Sequence, residues 1–141
     1  LGIEVKYTER GYRIGESEAG RVRDRESTYW ATTRESGLFV GGGCDQLAED
    51  DLRQIWRNHL LGVAMVGHKD IVRFVSVTLY PAGNKHFTHA LNKYKSHLEA
   101  AAQRGVRGCT FEQYTYCLRG DCEIEAWKQY LIARYLFDGL A

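Results

Sequence analysis

The segment Leu1-Gly2-Ile3-Glu4-Val5-Lys6-Tyr7-Thr8, with which the sequence opens, alternates between apolar and polar or small residues. A period of two residues predicts a β-strand with one apolar face and one polar face. Glu4 and Lys6 are two positions apart, so both are expected on the same face of this strand. A carboxylate beside an ammonium group on a strand can form half of a metal-dependent hydrolytic site.

Two interpretations of this charged pair are open from the residues alone. In the first, Glu4 and Lys6 form a solvated pair that stabilises the fold by less than about 1 kcal/mol. In the second, the Glu4 carboxylate and the Val5 backbone carbonyl bind Mg²⁺, a hard cation that prefers oxygen ligands. Lys6 would then position the attacking water or help to deprotonate it. A Glu-x-Lys tripeptide is common by chance, so the rest of the chain decides between the two.

Length and composition predict a single globular domain. The chain has 141 residues, a net charge of +1 and 26% charged residues, values that are ordinary for one soluble domain. Its bulk charge does not require a nucleic-acid partner, although five arginines crowd one early segment: Arg10, Arg13, Arg21, Arg23 and Arg25. No apolar run is long enough to span a membrane, and no signal peptide is recognisable.

The four cysteines and the first residues of the chain support two further expectations. Cys44, Cys109, Cys117 and Cys122 form no Cys-x-x-Cys pair, so structural zinc is not expected, and reduced thiols in a cytoplasmic protein are. The sequence begins inside a strand pattern without an initiator Met. We therefore expect residues 1–141 to be the C-terminal part of a domain whose earlier strands lie upstream.

The remaining hydrophobic patterns predict alternating helices and strands. Helices are expected over residues 23–36, 50–66, 85–103 and 122–137, strands over residues 71–80 and 109–118, and a loop over residues 9–20. Residues 71–80 are apolar on nearly every position, as expected for a central strand that is covered on both faces. Strands joined through helices predict parallel pairing by right-handed crossovers, and therefore an α/β or mixed α+β fold.

Several side chains of the predicted helices have assigned environments. Residues 50–66 carry an apolar stripe of Leu52, Ile55, Trp56, His59, Leu60 and Val63, so His59 is expected to be packed in the core. His86 and His89 are expected at the surface. In the last helix Ile124, Trp127, Leu131 and Tyr135 are expected to face inward. Asn84 and Asp121 are expected as helix N-caps and Gly37 as a helix C-cap, and the alternation of Phe111, Tyr114 and Tyr116 is the basis of the strand over residues 109–118. Gln54 lies early in the helix over residues 50–66, which should pack near the first strand because a crossover joins the two. For Arg53 and Arg57, a solvated helix face and a phosphate-binding surface are equally open.

Four segments together are similar to the PD-(D/E)XK nuclease superfamily, in a bacterial branch related to restriction endonucleases. They are Ile3-Glu4-Val5-Lys6-Tyr7, Ser36-Gly37-Leu38-Phe39, Gln54-Ile55-Trp56-Arg57-Asn58-His59-Leu60-Leu61, and Val75-Ser76-Val77-Thr78-Leu79-Tyr80-Pro81 with Asn84. The resemblance implies a restriction-endonuclease-like core, in which helices flank a mixed sheet whose early strands are missing from this chain. It also implies that an Asp on one of those strands would complete the metal's carboxylates.

The resemblance implies an Mg²⁺-dependent endonuclease that hydrolyses phosphodiester bonds in DNA, with Mn²⁺ as a substitute metal. Glu4 and the Val5 carbonyl would bind the metal, and Lys6 would orient the water or stabilise the developing charge. Gln54 matches a family position, whereas Asn58 stands where some members have Tyr. Phosphate contacts are expected from Arg53, Arg57, Arg13, Arg21 and Arg23. The alternative is a catalytically inactive module of the same fold that binds nucleic acid or protein. A third expectation is that residues 1–141 alone are inactive because the Asp that completes the site lies upstream of them.

Overall fold

The computed structural model describes residues 2–5, 14–66, 68 and 70–136, and for residues 2–5 it describes the backbone path. Within these residues there are three strands, β1 (Gly2–Val5), β2 (Ser76–Tyr80) and β3 (Val106–Thr110). The helices are α1 (Glu16–Arg23), α2 (Thr28–Glu35), α3 (Arg53–Met65), α4 (Lys85–Ser96), α5 (Phe111–Cys117) and α6 (Cys122–Tyr135). Short 3₁₀ turns occupy Val40–Gly42, Asp45–Ala48 and Ala102–Gly105.

The described strands form one parallel sheet in the order β1-β2-β3. Each pair of neighbouring strands is joined through helices, which parallel pairing requires. The α/β fold class and the central place of β2 are thus confirmed. The first predicted strand is confirmed over Gly2–Val5, while Lys6, Tyr7 and Thr8 lie outside the described residues.

The predicted strand over residues 109–118 is wrong for most of its length. β3 ends at Thr110, and α5 starts at Phe111. The Thr110 hydroxyl accepts the Gln113 backbone N–H, and the Gln113 side chain accepts the Thr110 backbone N–H. This reciprocal pair is a capping box, which starts a helix. The aromatic spacing that indicated a strand includes Phe111 and Tyr114, three residues apart, and that spacing fits a helix equally well.

The first half of the other predicted strand, over residues 71–80, is also wrong. β2 begins only at Ser76, and Val72 is almost fully exposed. Phe74 packs its ring against the backbone of α3 at Gly62, where an added Cβ would lie 2.0 Å from the ring. The apolar Phe74 is therefore half-buried by a helix contact and not by sheet pairing, which local sequence does not distinguish.

Helix boundaries differ from the predicted ones at several places. The segment predicted as a loop contains the first five residues of α1, α2 begins at Thr28, and α4 ends at Ser96. Helix α1 is held by tertiary contact, because Val22 is buried and its carbonyl accepts the Trp30 indole N–H at 2.8 Å. Most of the stability of a short helix comes from such packing, so a charged eight-residue helix gives a weak sequence signal.

The helices α1, α2 and α3 meet around two buried indoles. The Trp30 and Trp56 rings lie 4.7 Å apart between centroids. The Trp56 indole N–H donates to the Thr33 hydroxyl at 2.9 Å, and this hydroxyl donates to the Tyr29 carbonyl at 2.7 Å. Both indole N–H groups are thus hydrogen-bonded inside the core, which avoids the cost of burying an unpaired donor.

His59 lies in the core, as the apolar stripe of its helix predicts. It is 4% exposed, and its Nδ1 lies 2.8 Å from the Tyr94 hydroxyl. Burial lowers the pKa of His59 from 6.5 to about 4, because the charged imidazolium would lose its hydration. The same burial raises the pKa of Tyr94. His86 and His89 are exposed, as expected.

We expect His59 to make the stability of the fold depend on pH. The unfolded chain takes up a proton near pH 6.5, whereas the folded chain does so only near pH 4. The free energy of unfolding should therefore be unaffected by His59 above pH 6.5 and should fall by about 1–3 kcal/mol as the pH drops towards 4. Urea unfolding at several pH values measures this slope. His59→Gln should flatten it and exposed His86→Gln should not; equal slopes in all three proteins would contradict the expectation.

The last helix, α6, is mostly exposed, contrary to the predicted inward stripe. Only Leu131 is buried, whereas Ile124 and Trp127 are exposed. Its Asp121 N-cap is confirmed, because the carboxylate accepts the backbone N–H groups of Glu123 and Ile124. Tyr135 is half-buried and stacks on Phe111. Of the four residues predicted to face inward, Leu131 is buried and Tyr135 is half-buried, whereas Ile124 and Trp127 are exposed.

Candidate active site

Strand β1 carries Glu4 and Val5 into the sheet beside the central strand. In the backbone register Glu4 is opposite Thr78, and Val5 is opposite Leu79. Thr78 is in turn opposite Gly108 of β3. Thr78 is buried, and an added Cβ at Gly108 would lie 2.7 Å from the Leu91 side chain. Glu4 therefore belongs to a row of backbone positions that crosses the sheet from β1 through the buried Thr78 to the closely packed Gly108 on β3.

A polar pocket of about 300 Å³ lies between the start of α1 and the first turns of α3. Its lining consists of Ile14, Gly15, Glu18, Asp50, Arg53, Gln54 and Arg57. Three of the residues predicted to act on nucleic acid, Arg53, Gln54 and Arg57, are thus brought together. They share one side of α3 because Arg57 comes three residues after Gln54 and four residues after Arg53, and such spacings place side chains next to each other on a helix.

Two ion pairs set the electrostatics of this pocket. Arg57 Nη1 donates to Glu18 Oε1 at 2.6 Å, and Arg53 Nη1 donates to Asp50 Oδ1 at 2.6 Å. The first pair links α3 to α1 across 39 residues of sequence, and the second lies within a single turn. Each guanidinium group of the pocket is therefore paired with a carboxylate, and Gln54 lines the same pocket.

The other predicted site residues are distributed differently. Arg21 and Arg23 are exposed on α1 and do not line the pocket. Lys6 and Arg13 lie outside the described residues. Arg21 and Arg23, which sequence proximity had grouped with Arg13, thus lie at the surface of α1 and are separate from Arg53 and Arg57 on α3.

Sequence reasoning missed Glu18 and Asp50 as pocket residues. Glu18 lies in the segment predicted as a loop, where no helical register was available to place its carboxylate. Asp50 lies three residues before Arg53, a spacing that favours an ion pair on one face of a helix. That spacing was a usable signal, whereas the pairing of Glu18 with Arg57 depends on how α1 packs against α3.

Neither a metal-binding cluster nor a membrane-spanning helix is found in the part of the chain that the structure describes. No group of three or more His, Cys, Asp or Glu side chains among these residues is arranged to hold a metal ion. Among the described helices, none combines the length and the apolar character needed to cross a bilayer. All four cysteines are free thiols.

Comparison with known proteins relates the chain to one family. A search of curated proteins gave no match, and a search of solved structures gave none either. A family model described as the PD-(D/E)XK nuclease superfamily matches residues 1–137. The match covers β1, the pocket on α3 and every described helix, and so includes Glu4, Lys6 and Gln54. The chain belongs to the PD-(D/E)XK nuclease superfamily.

Proposed function

We propose that this protein is a metal-dependent endonuclease that hydrolyses phosphodiester bonds in DNA. The observation that carries the proposal is the position of Glu4 and Val5 on a strand of the central sheet, within the region that the nuclease family model matches. A strand paired along its length fixes the backbone of these two residues, and a hydrolytic site requires fixed ligands.

The donor set of β1 fits a divalent cation such as Mg²⁺. A Glu4 carboxylate and a Val5 backbone carbonyl are both oxygen donors, which Mg²⁺ prefers over nitrogen and sulfur. Mn²⁺ accepts the same ligands and is expected to substitute. When bound, the cation would supply Lewis-acid stabilisation of the phosphoryl oxygens. Glu4 and Val5 are the residues of this chain that we assign to hold it.

Lys6 and Gln54 are assigned to the reacting phosphate. The ammonium group of Lys6 would orient the attacking water and stabilise the charge that develops on the phosphoryl oxygens. The water oxygen would form a bond to phosphorus and release a proton to solvent, while the bond to the leaving sugar oxygen breaks and that oxygen takes up a proton from solvent. The Gln54 carboxamide can both donate and accept a hydrogen bond, so it can position a phosphate oxygen or a water.

Arg53 and Arg57 are assigned to the phosphates that flank the cleaved bond, and Arg13, Arg21 and Arg23 to the more distant backbone. Ion pairs hold Arg53 and Arg57 at the pocket. A guanidinium has five N–H donors, so it can contact a carboxylate and a phosphate together. Such contacts orient DNA without reading its sequence.

Nicking of supercoiled plasmid tests this function. The full-length protein should convert supercoiled plasmid to the open-circular form with Mg²⁺ or Mn²⁺, and EDTA should stop the conversion. The other candidate is an inactive module of the same fold, which would bind DNA in a salt-dependent way without cleavage. Absence of nicking with every divalent metal, together with salt-sensitive binding, would favour that candidate and contradict the nuclease.

A further inference from the structure

The exposed side of α6 carries two stacked aromatic rings beside an arginine. The Trp127 and Tyr130 ring centroids lie 5.5 Å apart with 20° between the ring planes. Trp127 is 51% exposed and Tyr130 is 48% exposed, although large aromatic side chains usually bury most of their surface. Arg134 is one turn further along the helix and is also exposed. We name Trp127, Tyr130 and Arg134 the aromatic stripe.

The cation of this stripe is held in place by tyrosine hydroxyls. Arg134 Nη1 donates to the Tyr130 hydroxyl at 2.9 Å, and Arg134 Nε donates to the Tyr135 hydroxyl at 3.2 Å. The guanidinium carbon lies 5.8 Å from the Tyr130 ring centroid. The Nη2 amino group takes no part in these two hydrogen bonds. A positive charge is therefore fixed at the end of a short stack of exposed rings.

We infer that the aromatic stripe binds single-stranded nucleic acid, with bases stacked on Trp127 and Tyr130 and a backbone phosphate on Arg134. Exposed aromatic faces next to a cation are the usual means of binding unpaired bases, because every base has a face that can stack. Duplex DNA hides those faces, so the stripe favours single strands. The inference rests on the proposed function for its class of partner, nucleic acid, and assigns a surface separate from Glu4 and the pocket.

The position and charge of the stripe favour this partner over an apolar protein surface. An apolar partner would bury the Arg134 guanidinium without a counter-charge, which costs free energy. A phosphate supplies that counter-charge. At the other end of the helix, Glu125 is contacted by Gln129 and Lys128, whereas Glu123 is exposed one turn before Trp127. A backbone phosphate is therefore expected at the Arg134 end of the stripe and not at the Glu123 end.

Binding of a labelled dT20 oligonucleotide in EDTA, followed by fluorescence anisotropy, tests the inference without cleavage. Trp127→Ala should weaken binding roughly 5- to 100-fold, the usual cost of losing one stacked base. Leu61→Ala, which truncates an exposed apolar residue on α3, is the matched control and should bind like the parent protein. Because one guanidinium contacts the backbone, the slope of log K against log salt should lose about 0.7 in Arg134→Gln.

Three further measurements separate stacking from its alternatives. An abasic oligonucleotide of equal length should bind much more weakly than dT20, and a 20-base-pair duplex should compete poorly. Trp30 and Trp56 are buried, so quenching of the exposed Trp127 should dominate the fluorescence change on binding. Equal binding by Trp127→Ala, equal binding of the abasic strand, or a dimer that Trp127→Ala converts to a monomer would overturn the inference. If the parent protein does not nick DNA but binds dT20, and Trp127→Ala weakens that binding, the proposed nuclease activity fails and this inference stands.

Discussion

Glu4→Gln is expected to reduce metal-dependent nicking of supercoiled DNA by about 100- to 1,000-fold. The substitution keeps the size of the side chain but removes the negative charge that we assign to the metal ion. Lewis-acid stabilisation of a phosphoryl transition state contributes several kcal/mol, and each 1.4 kcal/mol corresponds to about tenfold in rate. The rate of open-circle formation at fixed Mg²⁺, compared with the parent protein, measures the effect.

Two comparisons make this result specific to the site. Lys6→Ala should cause a loss of similar size, whereas Glu99→Gln, which neutralises an exposed carboxylate before Ala102–Gly105, should nick at the parent rate. Mg²⁺ should also raise the melting temperature of the parent protein, and Glu4→Gln should remove this shift because ligand binding stabilises the folded state. Parent-like nicking by Glu4→Gln and by Lys6→Ala would show that β1 is not the catalytic strand.

Trp56→Ala is expected to cost the fold about 3–5 kcal/mol, the range measured for large buried aromatic residues. Trp56 is completely buried between Trp30 and Tyr29, with ring centroids 4.7 Å and 5.8 Å away. Its removal leaves a cavity and also takes away the donor to Thr33. A domain of this size has about 5–15 kcal/mol of stability, so the variant should be close to unfolding at 37 °C.

The exposed Trp127 provides the matched control for this effect. Trp127→Ala removes the same indole from a half-exposed position on α6 and should change the free energy of unfolding by less than about 1 kcal/mol. Trp56→Phe should fall between the two, because it fills part of the space but donates no hydrogen bond. Urea unfolding followed by circular dichroism avoids the change in tryptophan fluorescence. Equal losses for Trp56→Ala and Trp127→Ala would contradict the described core.

The parts of the fold that could be predicted from sequence have strong local signals. The alternation at Gly2–Val5 indicated a strand, and the apolar stripe of α3 placed Trp56 and His59 inside. Asn84 and Asp121 were recognised as N-caps because their side chains accept backbone N–H groups within the next three residues. Gly37 was recognised as the residue that ends α2, and its φ of 65° is a conformation that glycine adopts without strain.

The errors occur where one local pattern fits two structures. Residues 71–75 are mostly apolar, like a strand, but the half-buried Phe74 packs against Gly62 of α3. Residues 111–117 have aromatic spacings compatible with either a strand or a helix, and the capping box at Thr110 decides for the helix. Helix α1 was missed because its charged sequence has little helical periodicity, and Val22 is buried by packing into the core, where its carbonyl accepts the Trp30 indole N–H.

The sequence by itself determined the family of this protein and the strand that carries Glu4, because both depend on the order of residues along the chain. Only the tertiary structure decided that Glu18 and Arg57, 39 residues apart, form an ion pair at the pocket beside Gln54. The same is true of the exposure of Trp127, which helical spacing had placed inside. Periodicity shows which residues share a face of a helix, but whether another element covers that face depends on long-range packing.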